Sequence, residues 1–118
     1  MLAASFFIVF ADANNVPTDI DHNGKPDLAV VETLYHDNVT QFTWRINANI
    51  DVQSVALHEA GHALGLDHFG ALFQTDANGM FHYAPNAVMN ASYTGVKQSL
   101  LPTDVSGYCS LWASWPNR

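Results

Sequence analysis

The apolar positions are unevenly spread. Leu2 to Ala11 is almost continuously apolar, and its centre, Phe6-Phe7-Ile8-Val9-Phe10, is short, aromatic and β-branched with a turn cluster behind it, which predicts a buried strand. Ala11-Asp12-Ala13 has the form of a leader cleavage site, but a secretory leader needs a basic segment ahead of its apolar run, and no Lys or Arg precedes Lys25. Turn-forming residues fill Asn14 to Asp27. Leu28 to Tyr35 then reads as a second strand, followed by a turn at His36-Asp37-Asn38. Phe42 to Ile46 is a third short strand or an extended link.

From Ile50 the pattern becomes helical. Asp51 is an N-cap candidate, Val52 to Leu64 is rich in Ala and Leu and free of proline, and Gly65 is a natural stop. A Gly-, Asn- and Pro-rich connection from Phe69 to Ala87 leads to a last helix expected to begin near Thr103. Pro102 precedes it, Thr103 or Asp104 can cap it, and Val105, Tyr108, Cys109 and Trp112 fall on one apolar face. On that face Cys109 is packing rather than chemistry.

Composition narrows the function classes. At 118 residues the chain is one domain. Charged residues are 13% of it and the net charge is -7, so a nucleic-acid groove or an anionic membrane surface, both of which need clustered basic charge, is not expected as a partner. The single cysteine excludes an internal disulfide and a cysteine-based zinc finger. No apolar run approaches the roughly 18 to 20 residues of a membrane span.

The six histidines are the oddity. In His58-Glu59-Ala60-Gly61-His62-Ala63-Leu64-Gly65-Leu66-Asp67-His68, His58 and His62 are four apart, so their imidazoles leave one helix face a turn apart and both can reach a single zinc ion. Gly65 lets the chain leave the helix sharply, which allows His68 to return as a third ligand. Three nitrogens leave a fourth position open, as a catalytic zinc requires. Glu59 stands beside the first ligand, placed to contact a water. A bare His-Glu-x-x-His could be an ordinary helix face; the added Gly and third His in register make it a metal site. His22, His36 and His82 lack such spacing and read as loop or surface residues. A second pattern, Asp19, Asp21, Asn23 and Asp27 around Gly24, has the oxygen spacing of a calcium loop, but Val30 stands where the closing Glu would be, and a polar turn has the same composition.

The motif from His58 to His68, followed by Ala87-Val88-Met89-Asn90, resembles the metzincin zinc peptidases. Met89-Asn90-Ala91-Ser92-Tyr93-Thr94-Gly95 and Leu101-Pro102-Thr103-Asp104-Val105-Ser106-Gly107 resemble the matrixin branch. The resemblance implies an α+β, zincin-like fold: a small twisted sheet packed on the active-site helix, then a Met-turn and a C-terminal helix. Residues 1–49 would hold the upper strands and loops of one catalytic domain over 1–118, and residues 50–118 the zinc helix, Met-turn and last helix. It also implies one catalytic zinc on His58, His62 and His68, Glu59 as general base, Met89 as apolar support and Tyr93 on the substrate-pocket wall. Leu28 to Tyr35 would pair with an extended protein or peptide substrate, and the protein would be a secreted monomer. Asn90 and Ala91 depart from the branch, which usually shows a bulky residue and proline there. A second, structural zinc site and a cysteine-switch segment are both missing from the pattern. The stretch before His58 is shorter than such domains usually have, so an N-terminally shortened domain is expected. Two rivals follow: a zinc-binding fragment without turnover, and a calcium-stabilised adhesion or carbohydrate module with an incidental motif.

Overall fold

The computed structural model describes residues 2–37, 44–47, 50–75 and 77–113. The order is β1 (Ala3–Val9), β2 (Leu28–Tyr35), β3 (Trp44–Arg45), β4 (Ile50–Asp51), α1 (Val52–Ala63), β5 (Ala71–Gln74), β6 (Phe81–Ala84) and α2 (Pro102–Trp112). The class is α+β, with two helices and three two-stranded sheets among the described residues. β1 and β2 pair antiparallel, from Ala3 opposite Tyr35 to Ile8 opposite Val30, with an irregularity between Ile8 and Val9. β3 pairs parallel with β4. Phe42 and Thr43 of the expected third strand, and Asn38 of the expected turn, lie outside the described residues.

Both ends of α1 are written locally. Asp51 accepts the Ser54 amide at 2.8 Å and the Ser54 hydroxyl at 2.5 Å, satisfying an amide the first helical turn leaves open. At the other end the Gly65 amide donates to His62 O and the Leu66 amide to Gly61 O, with Gly65 at φ +90°. This pair of bonds is a Schellman stop, and the left-handed φ it needs is cheap only for glycine.

The core lies between the end of α1, the turn at residues 85–90 and α2. Leu66, Val88, Met89 and Leu111 are buried together, with Leu57, Phe69 and Tyr108 packed around them. Gly61 is part of this packing, because a Cβ there would run into Met89 Sδ. Gly107 of α2 faces Leu66 and Phe69 more loosely, with 3.3 Å from a Cβ there to Leu66.

The structure corrects four readings of the hydrophobic pattern. β1 forms, but it is not buried: Phe6 is 58% exposed and Ile8 62%, because the sheet has two strands and covers one face only. The 69–87 connection contains the β5–β6 hairpin, paired from Ala71–Ala84 to Gln74–Phe81; His82 therefore sits in a strand, its ring 5.6 Å from that of Phe73. The α2 N-cap is Leu101, with Pro102 inside the first turn, where a missing amide costs nothing. The buried face of α2 carries Asp104, Gly107, Tyr108 and Leu111, whereas Val105, Cys109 and Trp112 are exposed. The helix is rotated by about one residue from the hydropathy stripe because its most buried side chain is a carboxylate.

Candidate active site

α1 presents His58 and His62 on one face, and the Schellman stop brings His68 back to them. The Nε2 atoms of His58 and His68 are 3.1 Å apart, and those of His62 and His68 are also 3.1 Å apart. The opposite nitrogens of the two helical histidines are committed: His58 Nδ1 donates to Val88 O at 2.7 Å and His62 Nδ1 to Leu66 O at 2.7 Å. Each ring then holds its proton on Nδ1 and turns an Nε2 lone pair inward. Two such lone pairs, each 3.1 Å from His68 Nε2, make a three-nitrogen set that one cation can share. A tetrahedral ion bound at about 2.0 to 2.1 Å needs nitrogens about 3.3 to 3.4 Å apart, so the spacing fits zinc with little adjustment. Burial lowers the His58 pKa, the Val88 carbonyl opposing it, and burial followed by the neighbouring imidazoles lowers that of His68. Both effects favour the neutral ring a metal ligand must be.

The same turn serves two of the histidines. By reversing the chain at Gly65 it returns His68 to the site and aims the Leu66 carbonyl at His62. The carbonyl for His58 comes from the other side, on the turn that carries Met89. That turn is held by Asp104, which is fully buried and accepts the amides of Val88 at 2.9 Å, Met89 at 3.1 Å and Leu101 at 2.9 Å. Met89, fully buried, lies against Gly61 beneath the histidine-bearing helix.

A cleft of about 660 Å³ opens beside the histidines, lined among others by Ser5, Phe7, Glu59, Tyr93 and Lys97. Glu59 is 5% exposed and accepts a hydrogen bond from Ser5 Oγ at 2.5 Å. Phe7 meets the His62 ring edge-on at 6.3 Å between centroids. The cleft is bordered by β1, and β2 supplies no lining residue among those described. The strand that borders the cleft is therefore Ala3–Val9, and not Leu28 to Tyr35 as expected. Tyr93 lines the cleft, and its hydroxyl accepts the Asp51 amide at 3.0 Å.

Sequence reasoning missed the brackets around the site. Asn90, read only as a departure, is buried and fully used: its amide group donates to Phe69 O and Pro85 O, and its oxygen accepts the Ala87 amide and Lys97 Nζ. Gly70 has no room for a Cβ beside that amide. Lys97 also donates to Ala87 O at 2.8 Å, and burial lowers its pKa, opposed by Asp104. Nothing in local spacing marks Ser5, Asn90 or Lys97, since each acts across the chain. An Asp in the first turn of α2, two positions after Pro102, is the one available signal, and the sequence pattern reads it only as a cap.

The Asp19, Asp21 and Asp27 carboxylates come within 4.8 Å of one another. Their oxygens already accept loop amides from Ile20, Asn23 and Gly24, the bonding of a polar turn. Lys25 pairs with Asp67, tying this turn to the segment before His68. His22 is exposed in the same loop and His36 follows β2, both away from the histidine cluster.

The family model described as Matrixin matches residues 11–113. No curated protein and no solved structure gives a match.

Proposed function

We propose that this chain, which belongs to the matrixin family, is a zinc-dependent metalloendopeptidase acting on protein or peptide chains as a secreted monomer. The family uses zinc, its members are generally extracellular, and no described helix is long and apolar enough to cross a membrane. The observation that carries the reading is the convergence of three imidazole nitrogens, two of them fixed in the ligand tautomer, next to a buried carboxylate in an open cleft.

In this reading His58, His62 and His68 hold the ion, and Met89 and Gly61 form the Met-turn packing beneath them. Zinc held there would supply Lewis acidity toward a water and the scissile carbonyl. Glu59 would take a proton from the attacking water and return it to the leaving amine. β1, which pairs only with β2 among the described residues, has a second edge for backbone hydrogen bonds with extended substrate. Tyr93 forms part of the pocket wall.

A second reading, zinc binding without turnover, is favoured by the uncovered apolar face of the sheet, where Phe6, Ile8 and Phe10 are all more than half exposed. One experiment separates the two. The purified chain should bind one equivalent of zinc and cleave a denatured protein, and cleavage should stop with a chelator and in Glu59→Ala while that variant keeps its zinc. Zinc without cleavage sinks the peptidase reading, and a chain that binds no zinc sinks both.

A further inference from the structure

Glu59 lines the cleft and is almost wholly buried. A buried carboxylate needs a donor, and this one takes it from outside its own helix: Ser5 Oγ lies 2.5 Å from Glu59 Oε2. Ser5 Oγ is also 2.9 Å from Thr33 Oγ1, its cross-strand partner in the β1–β2 register. A hydroxyl has one proton to give. An ionised carboxylate can only accept, so the Ser5 proton goes to Glu59 and Thr33 must donate to Ser5. The chain of donors runs one way, from Thr33 to Ser5 to Glu59.

The other carboxylate oxygen, Oε1, takes no hydrogen bond among the described residues, and Glu59 lines the cleft. One oxygen is anchored and the other is open. A glutamate has three side-chain torsions, and a general base works only when its free oxygen stays within hydrogen-bond reach of the proton it takes. A misplacement of about 1 Å costs on the order of 100-fold.

From this we infer that Ser5, oriented by Thr33, is a positioning residue for Glu59, holding the carboxylate through Oε2 so that Oε1 faces the reacting water. The inference rests on the peptidase reading. Ser5 precedes the residues that the family model matches, so the match assigns it nothing. The competing role is structural: the hydroxyl simply docks β1 on α1. The two roles separate in the kinetics, because docking would change stability and substrate binding together, whereas positioning acts on the chemical step.

The test uses the zinc-loaded full chain, one quenched-fluorescent peptide that it cleaves, and the variants Ser5→Ala, Ser5→Thr and Thr33→Val. Zinc content and thermal midpoint are measured alongside kcat and KM. Ser5→Ala should lower kcat by roughly 10- to 100-fold with zinc content and KM little changed. Ser5→Thr, which keeps a hydroxyl on a strand position, should restore most of the loss. Thr33→Val should fall between them, and it decides the question should Ser5→Ala fail to fold. An unchanged kcat in Ser5→Ala, or no kcat loss in Thr33→Val, overturns the role while leaving the peptidase reading in place, as does Ser5→Thr no better than Ser5→Ala. A zinc-loaded wild-type chain that cleaves no peptide overturns both.

Discussion

Replacing Asp104 with alanine tests whether the site is held from beneath by a single buried carboxylate. Three amides lose their acceptor. Leu101 is half-buried, so water can replace that bond; Val88 and Met89 are buried and their amides cannot reach water. An unsatisfied buried donor costs about 1 to 3 kcal/mol, so the two together cost about 2 to 6 kcal/mol by the same rule. Against a total stability of about 5 to 15 kcal/mol, that is a large fraction. Asp104→Asn should cost less, because its oxygen placed at the Oδ2 position keeps the Val88 and Leu101 amides and only the Met89 amide faces a donor. Urea unfolding of the three proteins, with and without zinc, reads the difference as a shift in midpoint at constant slope. The Val88 carbonyl orients His58, so zinc affinity should fall as well, by roughly 10- to 100-fold. A loss below about 1 kcal/mol at unchanged slope would refute the reasoning, since each stranded amide alone should cost at least that.

Gly61→Ala should lower the thermal midpoint, because the new methyl meets Met89 Sδ and the Tyr108 hydroxyl; overpacking of this kind costs about 1 to 3 kcal/mol, and an unchanged midpoint would show that Met89 moves freely. Acid should unfold the protein partly through Asp51. Burial works against its charge, but the Ser54 hydroxyl, the Asn47 and Ser54 amides and Gln98 outweigh it and bring its pKa from 3.8 to about 2. A pKa lowered by folding contributes stability that is complete above the unfolded value and is lost as pH falls through the folded one. The wild-type stability curve should therefore drop between about pH 4 and pH 2, and Asp51→Asn should flatten that part of it; identical acid limbs would contradict the assignment.

Much of the site was legible because its parts are close in sequence. His58, His62, Gly65 and His68 span less than four turns' worth of chain, and helical geometry plus one left-handed glycine is enough to bring the three rings together. The capping of α1 by Asp51 is equally local. The burial of α2 was misread because hydropathy ranks Val105 and Trp112 above Asp104, while the turn carrying Met89 offers amides that only an acceptor can satisfy. β1 was misread in the opposite sense: its residues suit a strand, and strand formation does not depend on a second layer covering both faces.

By itself, then, the sequence determined the three histidines that converge, the helix that carries two of them and the stop that returns the third, since these follow from backbone periodicity and one φ angle. Tertiary structure decided which strand borders the cleft, which carbonyls orient the imidazoles and what holds Glu59. Those are contacts between Ser5 and Glu59, Val88 and His58, or Asp104 and Met89, separated by between 15 and 54 positions. No local pattern encodes them, because each exists only after the chain has closed and buried polar groups have had to find partners.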